Sequence, residues 1–391
     1  MGTSDNDSLK QLDDLLAASN QSWLFGAGIG LDAGIPLMGA LTSRVLARAD
    51  QDTEEQAKNI LESIKAELPD NSHIEHILSH LGDYATIADR SKEKKVTIGG
   101  NTLDTEALGE LHSKILNRIA ETIRWGYRPA CGDKPEQIGT PEDPIVTVDG
   151  HRAFVSALFN RNQAGVAERR RAVGLFTINY DTLLEDALSL CCLPYWDGFS
   201  GGAVAYRSYR YGEKEPESGY RAHVIKLHGS IDWHLGDDER VWRVREGDLY
   251  PKKASRVLIY PQATKYLATQ RDPFAAQFDL FRRTLGADME NVLAICGYSF
   301  GDEHINEEIE LALQQPENKT TILAFAESLN PTLVKWRTLP WAKRLYAITG
   351  DGLFVGDEGP FFCSSDANKR EWWKFEGVTR ILNSGPEACA I

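Results

Sequence analysis

At 391 residues, 42% hydrophobic and 26% charged, the chain has the make-up of a globular protein with a sizeable core, in one large domain or two ordinary ones. A net charge of −14 disfavours a free-standing nucleic-acid binder, which needs clustered Lys and Arg; the basic runs at 90–95 and 169–171 read as solvated faces. No apolar run approaches the roughly eighteen residues of a membrane span, the polar start Met1 to Ser8 does not read as a signal peptide, and six scattered cysteines without a C-x-x-C pair point to a reducing cytoplasm rather than a disulfide scaffold or a Cys-based zinc site.

In chain order, residues 9–20 predict a short amphipathic helix with Leu9, Leu12, Leu15 and Leu16 on one face. Trp23 to Phe25 predicts a buried strand. It runs into Gly26-Ala27-Gly28-Ile29-Gly30, and then into a helix through Leu41, Val45 and Leu46 to about Ala49. Glycines there let the backbone approach a pyrophosphate, and a helix N-terminus offers N–H groups and positive dipole to an anion. The plain alternative is a tight turn, since the spacing is not G-x-G-x-x-G.

From Gln51 to about Gly126 apolar residues recur every three or four, as in Ile60, Leu61, Ile64 and Leu68, then Ile74, Ile77, Leu78 and Leu81, then Leu108, Leu111, Ile115, Ile119 and Ile123. Val96 to Asn101 reads as a turn between helices, with Thr102 or Asp104 capping the next one. A loop with Pro129, Pro135, Pro141 and Pro144 follows, then a helix over roughly Gly150 to Gln163. We expect 51–165 to be a helical module inserted into a discontinuous Rossmann-like domain of 9–50 and 166–391.

Beyond Val173 the rhythm is strand, turn, helix. Strands are expected at Val173–Thr177, His223–Leu227, Val257–Tyr260, Asn291–Cys296, Thr320–Phe325 and Leu345–Ile348. Helices are expected at Asp181–Leu190, Phe274–Leu285, Glu303–Leu313 and Pro331–Arg337. This predicts an α/β fold with a doubly wound, mostly parallel sheet covered on both faces, whose ligands sit outside the carboxyl ends of the strands.

Four polar motifs fall just past strands: the glycine turn, Thr177-Ile178-Asn179-Tyr180-Asp181, Lys226-Leu227-His228-Gly229-Ser230, and Gly297-Tyr298-Ser299. Each has a bland reading. Asn179 and Asp181 suit helix caps, His228 a satisfied core histidine, and Gly297 with Ser299 a turn and a cap. Together they are harder to dismiss, because a doubly wound sheet gathers successive strand ends on one rim.

The ordered set GAGIG…AGIP, TINYD, KLHGS and GYS resembles the motifs of the sirtuin fold over about 20–48 and 172–350. The resemblance implies a Rossmann-like domain that takes NAD. It implies Asn179 holding the nicotinamide ribose or the attacking water, Asp181 at the nicotinamide carboxamide and His228 as general base. Cofactor-binding positions would be Gly26, Ala27, Gly28, Ile29, Pro36, Thr177, Gly297, Tyr298 and Ser299. Departures matter too. The paired cysteines of the zinc-bearing deacylases are absent, Leu37-Met38-Gly39 stands where those enzymes carry Asp-Phe-Arg, and Gly30 stands where Ser is usual.

With the helical insert and the Asp272-Pro273-Phe274…Phe281-Arg282-Arg283 run, the layout looks more like the bacterial sirtuin-like NAD glycohydrolases of antiphage defence encoded beside a HerA-type hexameric ATPase. That resemblance implies NAD+ cleavage to nicotinamide and ADP-ribose in the cytoplasm, with no metal, and control by homo-oligomerisation or the ATPase. The alternatives are an NAD-dependent deacylase or ADP-ribosyltransferase, and a non-catalytic NAD or ADP-ribose sensor.

Other polar residues read as structure. His73, His76 and His80 with Glu75 flank the buried face of a helix, and a solvated or interface face is favoured there over a metal stripe. Glu185 and Asp186 read as helix surface, and Glu303 as an acid at a helix start. His304 is a secondary site candidate. Trp196, Gly198, Phe199, Gly201 and Gly202 form a loop that serves either as a lid or as ordinary surface.

Overall fold

A computed structural model describes residues 5–52, 55–161, 171–216, 218–245, 253–258, 272–286, 289–363 and 369–390. Its centre is a nine-stranded sheet. The order across it is Glu358–Phe361, Gly352–Val355, Leu345–Thr349, Thr320–Ala326, Asn291–Cys296, Gln21–Phe25, Val173–Thr177, Ala222–Lys226 and Tyr195–Trp196. Pairing is parallel from Leu345–Thr349 through to Tyr195–Trp196. The last two strands in chain order fold back antiparallel on the other edge. This is the expected α/β, Rossmann-like architecture.

The central strand shows why the sheet is buried on both faces. All five residues of Gln21–Phe25 are buried. Successive side chains leave a strand on opposite sides. Trp23 and Phe25 therefore join one core, with Leu175, Val224, Phe154 and Leu158, while Leu24 joins the other, with Phe176, Ile225, Phe278 and Ile295. The first core is covered by helices Asp5–Leu16, Asp149–Arg161, Leu183–Leu190 and Phe375–Ser384, the second by Phe274–Leu285, Glu303–Leu313 and Pro331–Trp336. Phe154 meets Trp23 and Phe25 edge-on at 5.1 and 5.5 Å. Such pairs add about 0.5–1.5 kcal/mol beyond the area they bury.

A third core gathers the helices Met38–Asp52, Glu55–Glu67, Ile74–Arg90 and Thr105–Trp125 through Leu41, Val45, Ile64, Ile77, Leu81, Leu108, Ile115 and Ile119. Tyr180, Leu183 and Ile231 reach into it from the sheet side. Packing therefore crosses both ends of the 51–165 segment, because the helix Met38–Asp52 joins the helical core and the helix Asp149–Arg161 joins the sheet.

Several local expectations need correction. The stretch 95–104 is not a bare turn but a hairpin, Lys95–Ile98 with Asn101–Asp104; Asp104 then caps the next helix through Ala107 N at 2.9 Å. The loop expected over Trp196–Gly202 carries strand ends instead. Tyr195–Trp196 edges the main sheet, and Phe199–Gly201 opens a second, five-stranded sheet. That sheet also contains Val204–Arg207, Gly229–Gly236, Val241–Val244 and Lys253–Leu258, so the strand expected at 257–260 lies here, antiparallel, rather than in the main sheet; residues 259–260 are outside the described set. The basic run 169–171 likewise lies outside that set except for Arg171. No described helix is long and apolar enough to cross a membrane.

Candidate active site

Backbone register sets the site. Cys296, Phe25, Thr177 and Lys226 lie in one row across four neighbouring parallel strands, each the last residue of its strand. The ladder continues one step further: Gly26 N donates to Cys296 O at 3.1 Å, Ile178 N to Phe25 O at 3.1 Å and Leu227 N to Thr177 O at 2.8 Å. The four motifs thus leave the sheet side by side. Neighbouring strands are about 4.8 Å apart, so Asn179 and His228, each two residues past a paired position, emerge from adjacent strand ends.

The two glycine turns interlock. Gly28 N donates to Gly297 O at 2.9 Å. A Cβ on Gly26 would lie 2.6 Å from Gly297 O and from Tyr298 Cα, and one on Gly28 2.8 Å from Gly297 Cα. Gly297 itself has φ +67°, and a Cβ there would meet Ile29 N at 2.6 Å. No side chain fits between these backbones. The helix does not begin directly after the first turn, as the sequence suggests. A single 3-10 turn, Ala27–Gly30, comes first, then a loop with Gly34 and the buried Pro36, and the α-helix starts only at Met38. Ala27 is exposed at the rim, and Ile29 is buried beneath it.

Asn179 is buried. Its Nδ2 donates to Gly26 O at 3.1 Å, and its backbone N donates to Thr177 Oγ1 at 3.0 Å. The amide is thereby tied to the first glycine turn, while its Oδ1 is buried and accepts no hydrogen bond among the described residues. An unsatisfied buried acceptor is costly and calls for a reason, and a ligand hydroxyl or water is one.

Asp181 is committed in part to structure. Its Oδ1 accepts from Leu183 N at 2.9 Å, the capping role that a bland reading assigns it. Its backbone carbonyl takes the ammonium of Lys226, which is almost wholly buried and lies 3.3 Å from Glu185. Glu185 is therefore not helix surface. Burial pushes its carboxyl up to about 7, opposed mainly by Lys226. Burial opposes the charge on Lys226, but Glu185, Asp181 and Asp232 outweigh it and hold Lys226 above its ordinary range. This pair fixes the Asn179–Asp181 loop from behind.

His228 is also buried, with Nε2 3.3 Å from Asp302 Oδ2. Asp302 Oδ1 lies 2.5 Å from His304 Nδ1, and the two imidazoles stack at 5.5 Å and 19°. Asp302 occupies the N-cap of the helix Glu303–Leu313 but makes no side-chain cap bond, its carboxylate being turned toward the histidines instead. Sequence reasoning missed Asp302, because an Asp before a helix already has a use as a cap.

Tyr298, expected to bind cofactor, is turned into the core. Its hydroxyl is 3.0 Å from Asp302 O and 3.1 Å from Asn306 Oδ1, so it braces the turn that carries Asp302. Ser299 is exposed, accepting from Gly301 N at 3.3 Å. A groove of about 640 Å³ lies at the opposite, amino end of the sheet, beside Asn20, Asn291, Lys319 and Arg344. None of the four motifs reaches it. Arg344 there is occupied by the carbonyls of Leu313, Asn318 and Thr320.

Residues 173–339 match the family model of the SIR2-like domain. No curated protein matches. Among solved structures, the chain is similar to a mutant of a Sir2 homologue in complex with ADP-ribose, at 15% identity and a TM-score of 0.32, over 83% of this chain and 87% of that one. The SIR2-like match spans three of the four motif-bearing strand ends, and with the parallel sheet flanked by helices it gives this chain a sirtuin-like α/β fold.

Proposed function

We propose that the chain is an NAD+ glycohydrolase, cleaving NAD+ to nicotinamide and ADP-ribose. One observation carries the reading: Asn179, with an acceptor left open, and His228, paired with Asp302, leave adjacent strand ends beside two interlocked glycine turns. The SIR2-like match supports an NAD-using enzyme.

The chemistry suits these groups. The nicotinamide of NAD+ is already a cationic leaving group, so the C1′–N bond breaks with its electron pair going to the ring nitrogen and no acid is needed. Charge develops on the ribose as in other glycosyl transfers. Water then forms the new C1′–O bond and gives its proton to His228. Asn179 holds the water or a ribose hydroxyl. Asp302 keeps the His228 ring in place and balances the charge the imidazole gains, as a carboxylate partner does for other histidine bases. The backbones of Gly26, Ala27, Gly28, Ile29 and Gly297, with Thr177, Pro36 and Ser299 around them, form the dinucleotide cradle. Asp181 faces the carboxamide with the oxygen that Leu183 N does not use.

Incubation of purified protein with NAD+ should give equimolar nicotinamide and ADP-ribose by chromatography, and Asn179→Ala and His228→Ala should each lose at least about a hundredfold. Full turnover by a folded His228→Ala protein would remove this mechanism. An acetyl-lysine peptide arm separates the deacylase reading: deacetylation coupled to NAD+ use would replace the present one.

The layout of the motifs around a helical insert supports a role in antiphage defence. A constitutively active NADase would deplete its own cell, so we further propose that homo-oligomerisation or a HerA-type hexameric ATPase holds the activity in check. Constitutive full activity of a monomer, unaffected by the ATPase, would contradict this.

A further inference from the structure

We propose that His228, Asp302 and His304 form a divalent-cation site of the zinc type, whose occupancy takes His228 out of service. One donor atom from each of the three residues lies within 4.8 Å of the others. Two imidazoles and one carboxylate suit zinc and its neighbours rather than magnesium or calcium. Donors about 2.0–2.2 Å from one tetrahedral ion sit about 3.3 Å from each other. The His228 Nε2 to Asp302 Oδ2 distance is 3.3 Å, and His304 Nδ1, 2.5 Å from Asp302 Oδ1, would have to move back by about 0.8 Å to make room for the ion.

Two further observations favour a ligand-binding role over simple packing. Asp302 occupies a helix N-cap yet leaves the capping bond unmade in favour of the two rings. His304 keeps one ring nitrogen, Nε2, buried and without a hydrogen bond among the described residues. The turn that presents Asp302 is also braced. Tyr298 OH braces Asp302 O, and Asn306 Nδ2 donates to Phe300 O at 2.8 Å. His304 and Asp302 retain 22% and 15% of their side-chain exposure, so an ion has a way in.

The fourth position of such an ion would remain open. The reaction proposed above needs no metal, and here the ion is an inhibitor, because a coordinated imidazole cannot take a proton from water. This site differs in donors and place from the paired-cysteine zinc module of the deacylases. The inhibitory consequence rests on the NADase reading, whereas the binding does not.

The test is a titration of tag-free, full-length protein with Co2+, read by visible absorption and then by displacement with Zn2+. The expected result is one ion per chain, weakened by about tenfold or more in both His304→Ala and Asp302→Asn. Zn2+ should lower the NAD+ hydrolysis rate of the wild type, and His304→Ala should resist it, each measured against its own metal-free rate. No binding by the wild type overturns the proposal. So does binding that persists in both variants, which would place the ion elsewhere, for example at His73, His76 and His80. Turnover unaffected by a bound ion overturns the inhibitory part. Metal binding as described in a protein that never cleaves NAD+ leaves this site standing and removes the hydrolase reading instead.

Discussion

Gly26→Ala tests the contact on which the cradle depends. The added Cβ would sit 2.6 Å from Gly297 O and 2.6 Å from Tyr298 Cα. Both are backbone atoms, so neither can swing aside as a side-chain end would. Ordinary contact begins near 3.4 Å, so the turns must part by about 0.8 Å, on the scale where misplacement in a site costs about a hundredfold in rate. Overpacking of this kind typically costs about 1–3 kcal/mol of stability. The loop shift also pulls on Asn179, whose Nδ2 is held by Gly26 O.

The assay is NAD+ hydrolysis as kcat/KM alongside thermal melting. Gly39→Ala, in an exposed first helical turn with nothing within 4 Å of its Cβ, is the control; it should be neutral or stabilising by up to ~1 kcal/mol, with normal turnover. A Gly26→Ala protein with wild-type kcat/KM would refute the reasoning, because the interlocked turns would then not be the dinucleotide cradle.

Lys226→Met should destabilise by about 3–5 kcal/mol by leaving Glu185 buried without its cation, and Lys226→Met with Glu185→Leu should recover most of that loss in denaturant melts. The single variant's penalty should grow with pH. A carboxyl whose folded value is raised keeps its stability below the ordinary value near 4.5 and loses it as pH climbs through the folded value, about 7 in the wild type and higher without Lys226. His151 is fully buried with both ring nitrogens unpartnered among the described residues, and burial lowers its pKa against the opposing pull of Asp181 and Asp186. The native state therefore holds it neutral, so stability falls as pH drops below the unfolded value near 6.5, and the melting temperature of His151→Leu should exceed that of wild type by more at pH 5 than at pH 8. Asp104→Ala should cost about 1 kcal/mol in melting experiments through the lost cap on Ala107 N, without altering turnover.

Most of the parallel strands were legible because each is a short, mainly apolar run between turn residues, as in Asn291–Cys296, where every residue is buried; Tyr195–Trp196, only two residues long, was not. Their ends carried the site motifs, and register did the rest. The five-stranded sheet was hidden for the opposite reason. Its strand Phe199–Gly201 is short, glycine-flanked and only half buried, so it read as loop, and Val204–Arg207 is equally short and half buried. The hairpin at 95–104 has the same character.

At the site, residue type misled in two directions. Tyr298 sits in a motif that looks ligand-facing, yet its ring packs in the core and its hydroxyl braces Asp302. Glu185 is an acid in a helix, a surface pattern by default, and only the fold brings it to Lys226 from another strand. Asp302 could not be distinguished from a cap without seeing where its carboxylate turns. Long-range pairing is what the linear pattern lacks.

The most direct test of the central claim is a crystal structure of the Asn179→Ala protein soaked with NAD+. The account predicts the pyrophosphate on the Gly26–Gly28 and Gly297 turns, with C1′ of the nicotinamide ribose between positions 179 and 228. A dinucleotide bound elsewhere, such as in the groove beside Asn20 and Lys319 at the other end of the sheet, with the glycine turns unoccupied, would contradict it.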